Sequence, residues 1–335
     1  MTVYGELVRL KSEVPSCYHQ SYIQTGYRPI NRSILTCIKS AFWPTNEMLN
    51  FWTHFISLIL MVSRTVRIMI NFENKFEVVK FPFYIHSFGT CYLLLVSSIA
   101  HLFCCYSERC CQRCFSVDQA AVVVYAICVL LGFDHLACPM SCYGIFSGVT
   151  RETYLTGIVI LTVLHTSFSL FTLKSPHLAA WRTMPCILMT ILIVLPCIIR
   201  YTNDTDDPKC FPLADKSFDQ FAALCFLAQV FFIALGGIFF ATYLPERFYP
   251  GTFDIVGQSH QLFHICVSLS MYFQSLLIEN GLNKASEQPT VSRNNLSVTW
   301  ACTVGVFSLV FVLTHTTVLL HDRTRPNIVK ITKIT

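Results

Sequence analysis

The chain has 335 residues, 53% hydrophobic and 13% charged, with a mean hydropathy of +0.53 and a formal net charge of +5. Soluble domains carry about a quarter charged residues, so this composition excludes an ordinary soluble fold and predicts an integral membrane protein. The modest positive charge gathers at the two ends, which argues against nucleic acid as a partner. Most of the 17 cysteines lie inside apolar runs, where cysteine acts as a small hydrophobe rather than as part of a secreted disulfide framework.

Residues 1–50 form a polar, basic N-terminal region (Arg9, Lys11, Arg28, Arg32, Lys39) without the apolar core of a cleaved signal peptide. A short amphipathic piece is expected around Ile34–Phe42. Residues 51–320 hold the membrane region, and residues 321–335 a basic tail. Eight apolar segments approach the length of about 20 residues that spans a bilayer. They are Phe51–Ile70, Phe81–Cys105, Gln119–Ala137, Tyr154–Leu173, Thr183–Ile199, Phe218–Tyr243, Ser259–Ile278 and Val298–Leu320. The fifth is the shortest and the first carries Arg64 and Arg67, so the expectation is an all-α bundle of seven to eight transmembrane helices.

Lysines and arginines mark cytoplasmic loops. They occur in the N-terminal region, in Tyr106–Val117, in Lys174–Arg182 and in the tail, which fall on one side when the N-terminus is cytoplasmic. The opposite side receives the aspartate-rich Tyr201–Ser217 and the polar Glu279–Ser297, with sequons at Asn203 and Asn295. Arg64 and Arg67 sit near the outer end of the first span and are expected to snorkel. Cys138, Cys142 and Cys210 lie on the oxidising side, where one disulfide among them is allowed and its pairing is open. Cys110, Cys111 and Cys114 fall in an inner loop, where reduced or palmitoylated thiols are favoured over a metal site.

The stretch Leu244–Val267 combines a turn-rich loop (Pro245, Pro250, Gly251), in which Glu246, Arg247 and Asp254 are expected to be exposed, with a helix carrying His260 and His264. Residues four apart share a helix face, so these two imidazoles are half of a metal site. The topology supplies His101 and Asp118 at the cytoplasmic ends of the second and third spans, at the same depth. Intramembrane ionisable residues are functional candidates. Three neutral imidazoles leave the fourth position of a tetrahedral zinc site open, the pattern of a catalytic centre. Asp118 would hold a water there, Ser97 would support it from one turn before His101, and zinc lowers the pKa of bound water to about 7. His54, His86, His165 and His315 are read as interhelical contacts.

Three motifs carry a family resemblance. Thr45-Asn46-Glu47-Met48-Leu49-Asn50-Phe51-Trp52-Thr53-His54 is similar to an N-E-x-x-N-x-W-T-H element. Ser97-Ser98-Ile99-Ala100-His101, followed by Asp118, is similar to an S-x-x-x-H element. Pro245-Glu246-Arg247-Phe248-Tyr249-Pro250-Gly251-Thr252-Phe253-Asp254 with Gly257 and Ser259-His260-Gln261-Leu262-Phe263-His264 is similar to a P-E-R-x-x-P-G-x-F-D-x-x-G-x-S-H-Q-x-x-H signature. Together they resemble the progestin and adipoQ receptor family, and the eighth span points to its membrane progestin receptor branch. The resemblance implies zinc on His101, His260 and His264, with a water held by Asp118.

Two functions follow as expectations. One is a multi-pass plasma-membrane receptor that binds a steroid (progestin) or lipid and signals inward to a G protein or adaptor on the cytoplasmic face. The other is a zinc-dependent amide hydrolase acting on a lipid such as ceramide, in which Asp118 and Ser97 serve the catalytic centre.

Overall fold

The computed structural model of the protein describes residues 7–71, 80–133, 136 and 220–287, with isolated positions between 153 and 195 and between 305 and 319. Its helices, in chain order, are α1 (Ile34–Lys39), α2 (Met48–Asn71), α3 (Phe81–Phe103), α4 (Glu108–Gly132), α5 (Gln220–Thr242) and α6 (Ser259–Glu287). Five of them, α2 to α6, are long and apolar enough to cross a membrane. Among the described residues there is no strand, only one isolated bridge between Arg9 and Tyr27. The protein is thus an all-α, multi-pass membrane protein. The predicted spans Tyr154–Leu173, Thr183–Ile199 and Val298–Leu320 lie mostly outside the described residues. So do His165, Cys138, Cys142, Cys210 and the sequons at Asn203 and Asn295.

Helix α3 packs on α4, α5 packs on α6, and α2 bridges α3 and α6. Phe83, Ile127, Leu131, Ile278 and Leu282 fill the main core. A second cluster of Met61, Leu94, Ala121, Val267 and Met271 joins α2, α3, α4 and α6 nearer the end where α3 finishes and α6 begins. Lipid is as apolar as a leucine side chain, so helices in a bilayer associate through close packing and hydrogen bonds rather than through hydrophobic burial. Gly89 shows the first device, because a Cβ there would overlap the Cys128 side chain of α4. The second device is a polar layer, in which the Gln274 side-chain oxygen meets His86 Nε2 at 2.9 Å and accepts from the Tyr125 hydroxyl at 2.8 Å. The Gln274 amide donates in turn to Gln229 at 3.2 Å. Leu224, Leu227 and Phe231 of α5 and Ile56, Ile59 and Leu60 of α2 are exposed, as a lipid-facing surface requires.

Two spans differ in extent from their sequence expectation. Helix α4 begins at Glu108 rather than Gln119, so the cysteine-rich stretch is helix and not an inner loop. Its start is set by Ser107, whose hydroxyl accepts from the Cys110 amide at 3.1 Å, with Glu108 in the first turn to complement the helix dipole. Cys110 and Cys114 then stack one turn apart, their sulfurs 3.7 Å from each other. Helix α6 continues past Ile278 to Glu287, so Glu279 is helical and not part of a loop. It forms an ion pair with Arg64 of α2, whose Nε also donates to Ser275 at 3.1 Å. Arg64 is therefore buried rather than snorkelling, whereas Arg67 is exposed.

The segment ahead of α2 folds against the end of the bundle that carries His101 and His260. Ser33 caps α1 by accepting from the Thr36 amide. Trp52 of α2 donates to the Ala41 carbonyl at 2.7 Å and packs edge-on against Phe42.

Candidate metal centre

His101 lies in the last turn of α3, and His260 and His264 in the first two turns of α6. The geometry brings them together: one ring nitrogen from each lies within 4.8 Å of the others, in an arrangement that could hold a metal ion. The ring centroids are 5.2 Å apart for His101 and His260, 4.9 Å for His101 and His264, and 4.5 Å for His260 and His264.

Neighbouring groups decide which nitrogen of two of these rings is free to ligate. His101 Nδ1 stands 2.7 Å from Glu47 Oε2. A carboxylate only accepts, so Nδ1 carries the hydrogen and Nε2 keeps its lone pair. His264 Nδ1 lies 3.1 Å from the Asn50 carbonyl and 3.2 Å from the Thr53 hydroxyl, which sets the same tautomer. His101 Nε2 is buried and has no protein partner. A buried imidazole lone pair without a donor is costly, and a cation at the centre of the three rings would satisfy it. The donor set therefore fits a metal of the zinc type, for which neutral imidazole is a preferred ligand.

Asp118 of α4 lies close to Ser97 and His101 of α3. Asp118 Oδ1 is buried and unpartnered. Both residues are thus placed beside His101, with one oxygen of Asp118 available to a further donor.

Several residues in or near the centre were not expected there. Glu47 sits at the threshold of α2, 6% exposed, and accepts from Asn50 Nδ2 at 2.9 Å and Gln20 Nε2 at 2.5 Å as well as from His101. Burial works against its charge, yet His101, the Arg28 guanidinium and the Asn50 amide outweigh burial and pull its pKa down to about 2. Arg28, from the segment before α1, donates to the Leu102 carbonyl at 2.9 Å and to the carbonyl of His101. An acid at a span's edge with Asn50 one turn on was a legible signal for Glu47; nothing in the spacing singles out Arg28. His54, expected as an ordinary interhelical contact, stacks flat on His264 with centroids 3.7 Å apart and planes 8° apart, and neither of its nitrogens has a hydrogen-bond partner. His86 and His315 do make the expected hydrogen-bonded contacts, with Gln274 and with Tyr92 at 2.5 Å.

The loop between α5 and α6 departs from expectation. Glu246 and Asp254 are buried, each 2% exposed, and only Arg247 of the three charged residues is exposed. Glu246 accepts from the Ser259 amide at 2.7 Å and from its hydroxyl, so it serves the free N–H groups and the positive dipole end at the start of α6. Asp254 accepts from the Gln24 and Thr25 amides at 3.1 and 2.6 Å and from the Thr25 hydroxyl at 2.9 Å. These carboxylates are buried because each has donors waiting for it, the condition under which a charge can leave water. They tie the loop to α6 and to the N-terminal segment.

Comparison with known proteins agrees with this architecture. Residues 42–275 match the Haemolysin-III related family. Membrane progestin receptor gamma-B of Danio rerio is 28% identical over 305 residues, covering 84% of this chain and 86% of its own length. Membrane progestin receptor gamma of Homo sapiens is 28% identical over 276 residues, with 81% of each chain covered. Heptahelical transmembrane protein 1 of Arabidopsis thaliana is 31% identical over 271 residues, with 76% of each covered. The matched region contains every histidine of the centre together with Glu47, Asp118 and the α5–α6 loop, and the chain belongs to the haemolysin-III-related family of multi-pass membrane proteins that includes the progestin and adipoQ receptors.

Proposed function

We propose that the protein is a plasma-membrane receptor of the progestin-receptor type, built around a zinc ion held by His101, His260 and His264, with its N-terminus in the cytoplasm. The carrying observation is the histidine centre, set in a chain similar along most of its length to proteins named membrane progestin receptors. A steroid or another rigid lipid suits an apolar helix bundle reached from the bilayer. In this reading the α5–α6 loop presents Arg247, Phe248 and Tyr249, all exposed, to a G protein or adaptor, while Glu246 and Asp254 anchor the loop to α6 and the N-terminal segment. Saturable binding of a radiolabelled progestin to purified protein, with elemental analysis of the same sample, tests the assignment. One zinc per chain with no saturable progestin binding would remove the steroid and keep the centre.

A second reading is favoured by one observation, the unpartnered Asp118 oxygen beside His101. In an amide hydrolase, zinc would supply Lewis acidity and a more acidic bound water. Asp118 would take up the proton of a water held between it and the histidines, and Ser97 would keep the carboxyl turned toward that water. The apolar walls would bring a lipid amide such as ceramide to the same place. Hydrolysis of a long-chain ceramide by the purified protein, abolished in Asp118→Asn, is the expected result; equal turnover in wild type and variant would discard this reading.

A further inference from the structure

We infer that Arg28 and Glu47 are positioning residues for the histidine centre, so that the segment ahead of α2 is part of the site and not an appended tail. The inference rests on the metal reading above. It concerns His101, the only ligand from α3, which is gripped at both ends. Its ring meets the Glu47 carboxylate through Nδ1 at 2.7 Å. The carbonyls of His101 and Leu102 accept from Arg28. These carbonyls belong to the last turn of α3, where backbone acceptors have no intrahelical donor and the negative end of the helix dipole lies. A buried guanidinium there satisfies both and stops the turn from fraying, which fixes the direction in which the His101 ring leaves the helix. Arg28 is itself held in place by Ser40 at 3.0 Å and Cys104 at 2.8 Å.

Glu47 acts on the other end of the ring. An anionic acceptor on Nδ1–H fixes the tautomer and makes Nε2 a stronger donor to a metal, the role that outer carboxylates play on ligating histidines. Asn50 joins this carboxylate to the second ligand, since its amide donates to Glu47 while its backbone carbonyl accepts from His264. One acid thus steadies two ligands from two helices. Glu47 and Arg28 line the same small cavity, about 20 Å³, with Tyr18, Tyr27 and Asn46. Their opposite charges are buried together, so neither is left uncompensated. Residues 42–275 match the family, so Arg28 lies outside the matched region while reaching into its centre.

The test is zinc affinity of the full chain in detergent, by competition with a chromophoric chelator. The thermal midpoint of the metal-stripped protein and the visible spectrum of the cobalt-substituted form are recorded in parallel. Glu47→Gln keeps shape and an acceptor but removes the charge; affinity is expected to fall about 10- to 100-fold, with a shifted cobalt spectrum. The metal-free midpoint falls as well, because Arg28 loses a buried counter-charge, so the cobalt spectrum, which destabilisation alone does not move, carries the test. Arg28→Lys keeps the charge but loses the fork across two carbonyls, and its affinity is expected to fall severalfold. Should Glu47→Gln fail to fold, Arg28→Lys decides alone. Wild-type affinity and cobalt spectrum in every variant that folds would overturn the inference and leave the metal reading standing. A wild-type chain that binds no zinc would overturn both.

Discussion

Replacing Asp254 by alanine tests whether the α5–α6 loop is moored to the N-terminal segment or merely lies beside it. The carboxylate accepts three hydrogen bonds, from Gln24 N, Thr25 N and Thr25 Oγ1, and is 2% exposed. Hydrogen bonds to a charged group contribute roughly 1.5–3 kcal/mol each when buried. The sum must be discounted, because Gln24 is exposed and Thr25 half-buried, so water can replace part of what is lost. A local cost of about 2–4 kcal/mol remains. Hydrogen exchange reads such local opening directly, and at a tenfold change per 1.4 kcal/mol the Gln24 and Thr25 amides should exchange about 25- to 700-fold faster. Asp254→Asn keeps an acceptor without the charge and should fall between wild type and alanine. Protection at Gln24 and Thr25 that is unchanged in Asp254→Ala would refute the mooring, whatever happened to global stability.

Four further outcomes follow from the same contacts. Gly89→Val should lower the thermal midpoint in detergent by the cost of overpacking, about 1–3 kcal/mol, since even a Cβ overlaps Cys128; an unchanged midpoint would mean that α3 and α4 do not approach there. Arg64→Leu leaves the Glu279 carboxylate without its partner and, because that side chain is a quarter exposed and water can reach it, should cost about 1–3 kcal/mol, much of it recovered in Arg64→Leu/Glu279→Leu, and a thermodynamic cycle with no coupling would refute the pair. Gln274→Leu unties His86, Tyr125 and Gln229 together. Interhelical hydrogen bonds in membranes average about 0.6 kcal/mol, so a loss of about 1–2 kcal/mol in unfolding experiments is expected, and a gain in stability would contradict the layer. If the three histidines hold zinc as proposed, it should be lost on acidification, because protons compete for the ligating nitrogens; dialysis at stepped pH should show retention near pH 8 and release below the ordinary imidazole pKa of about 6.5. Retention that does not depend on pH would argue against a histidine site.

The convergence of the three histidines was legible because helix ends and loops obey strict rules. The polar residues after Phe103 and before Ser259 terminate the helices, so His101 and His260 must lie near the same end. Gln274, Gln229 and Tyr125, by contrast, are ordinary members of apolar runs until their partners are known. The start of α4 was missed because the stretch from Glu108 to Asp118 shows no continuous apolar run, although Ser107 followed by Glu108 is a capping signal. The end of α6 was missed because Glu279 reads as a loop residue until Arg64 neutralises it. Acids in turns are usually exposed, and Glu246 and Asp254 depart from that rule. Their donors come from Ser259, Gln24 and Thr25, and the last two are more than 200 positions away in the chain, a pairing that no local pattern encodes.

These contacts assign α6 a particular place in the bundle. His260 and His264 stand at its start, Ser270 and Gln274 midway, Ser275 and Glu279 toward its other end. Each level meets a different partner: His264 meets Asn50 of α2, Ser270 donates to the Gln229 carbonyl of α5, and Glu279 meets Arg64 of α2. Apolar packing alone gives little preference for one rotation of a helix over another in lipid, whereas a polar group turned toward lipid loses its partner. Three polar levels on one helix therefore fix its rotation and height together. Glu246 fixes the start of the same helix through Ser259, one residue before the first histidine. The positions of two of the three rings thus follow from α6 as a rigid element, while the third, on α3, depends on the residues at the end of its own helix.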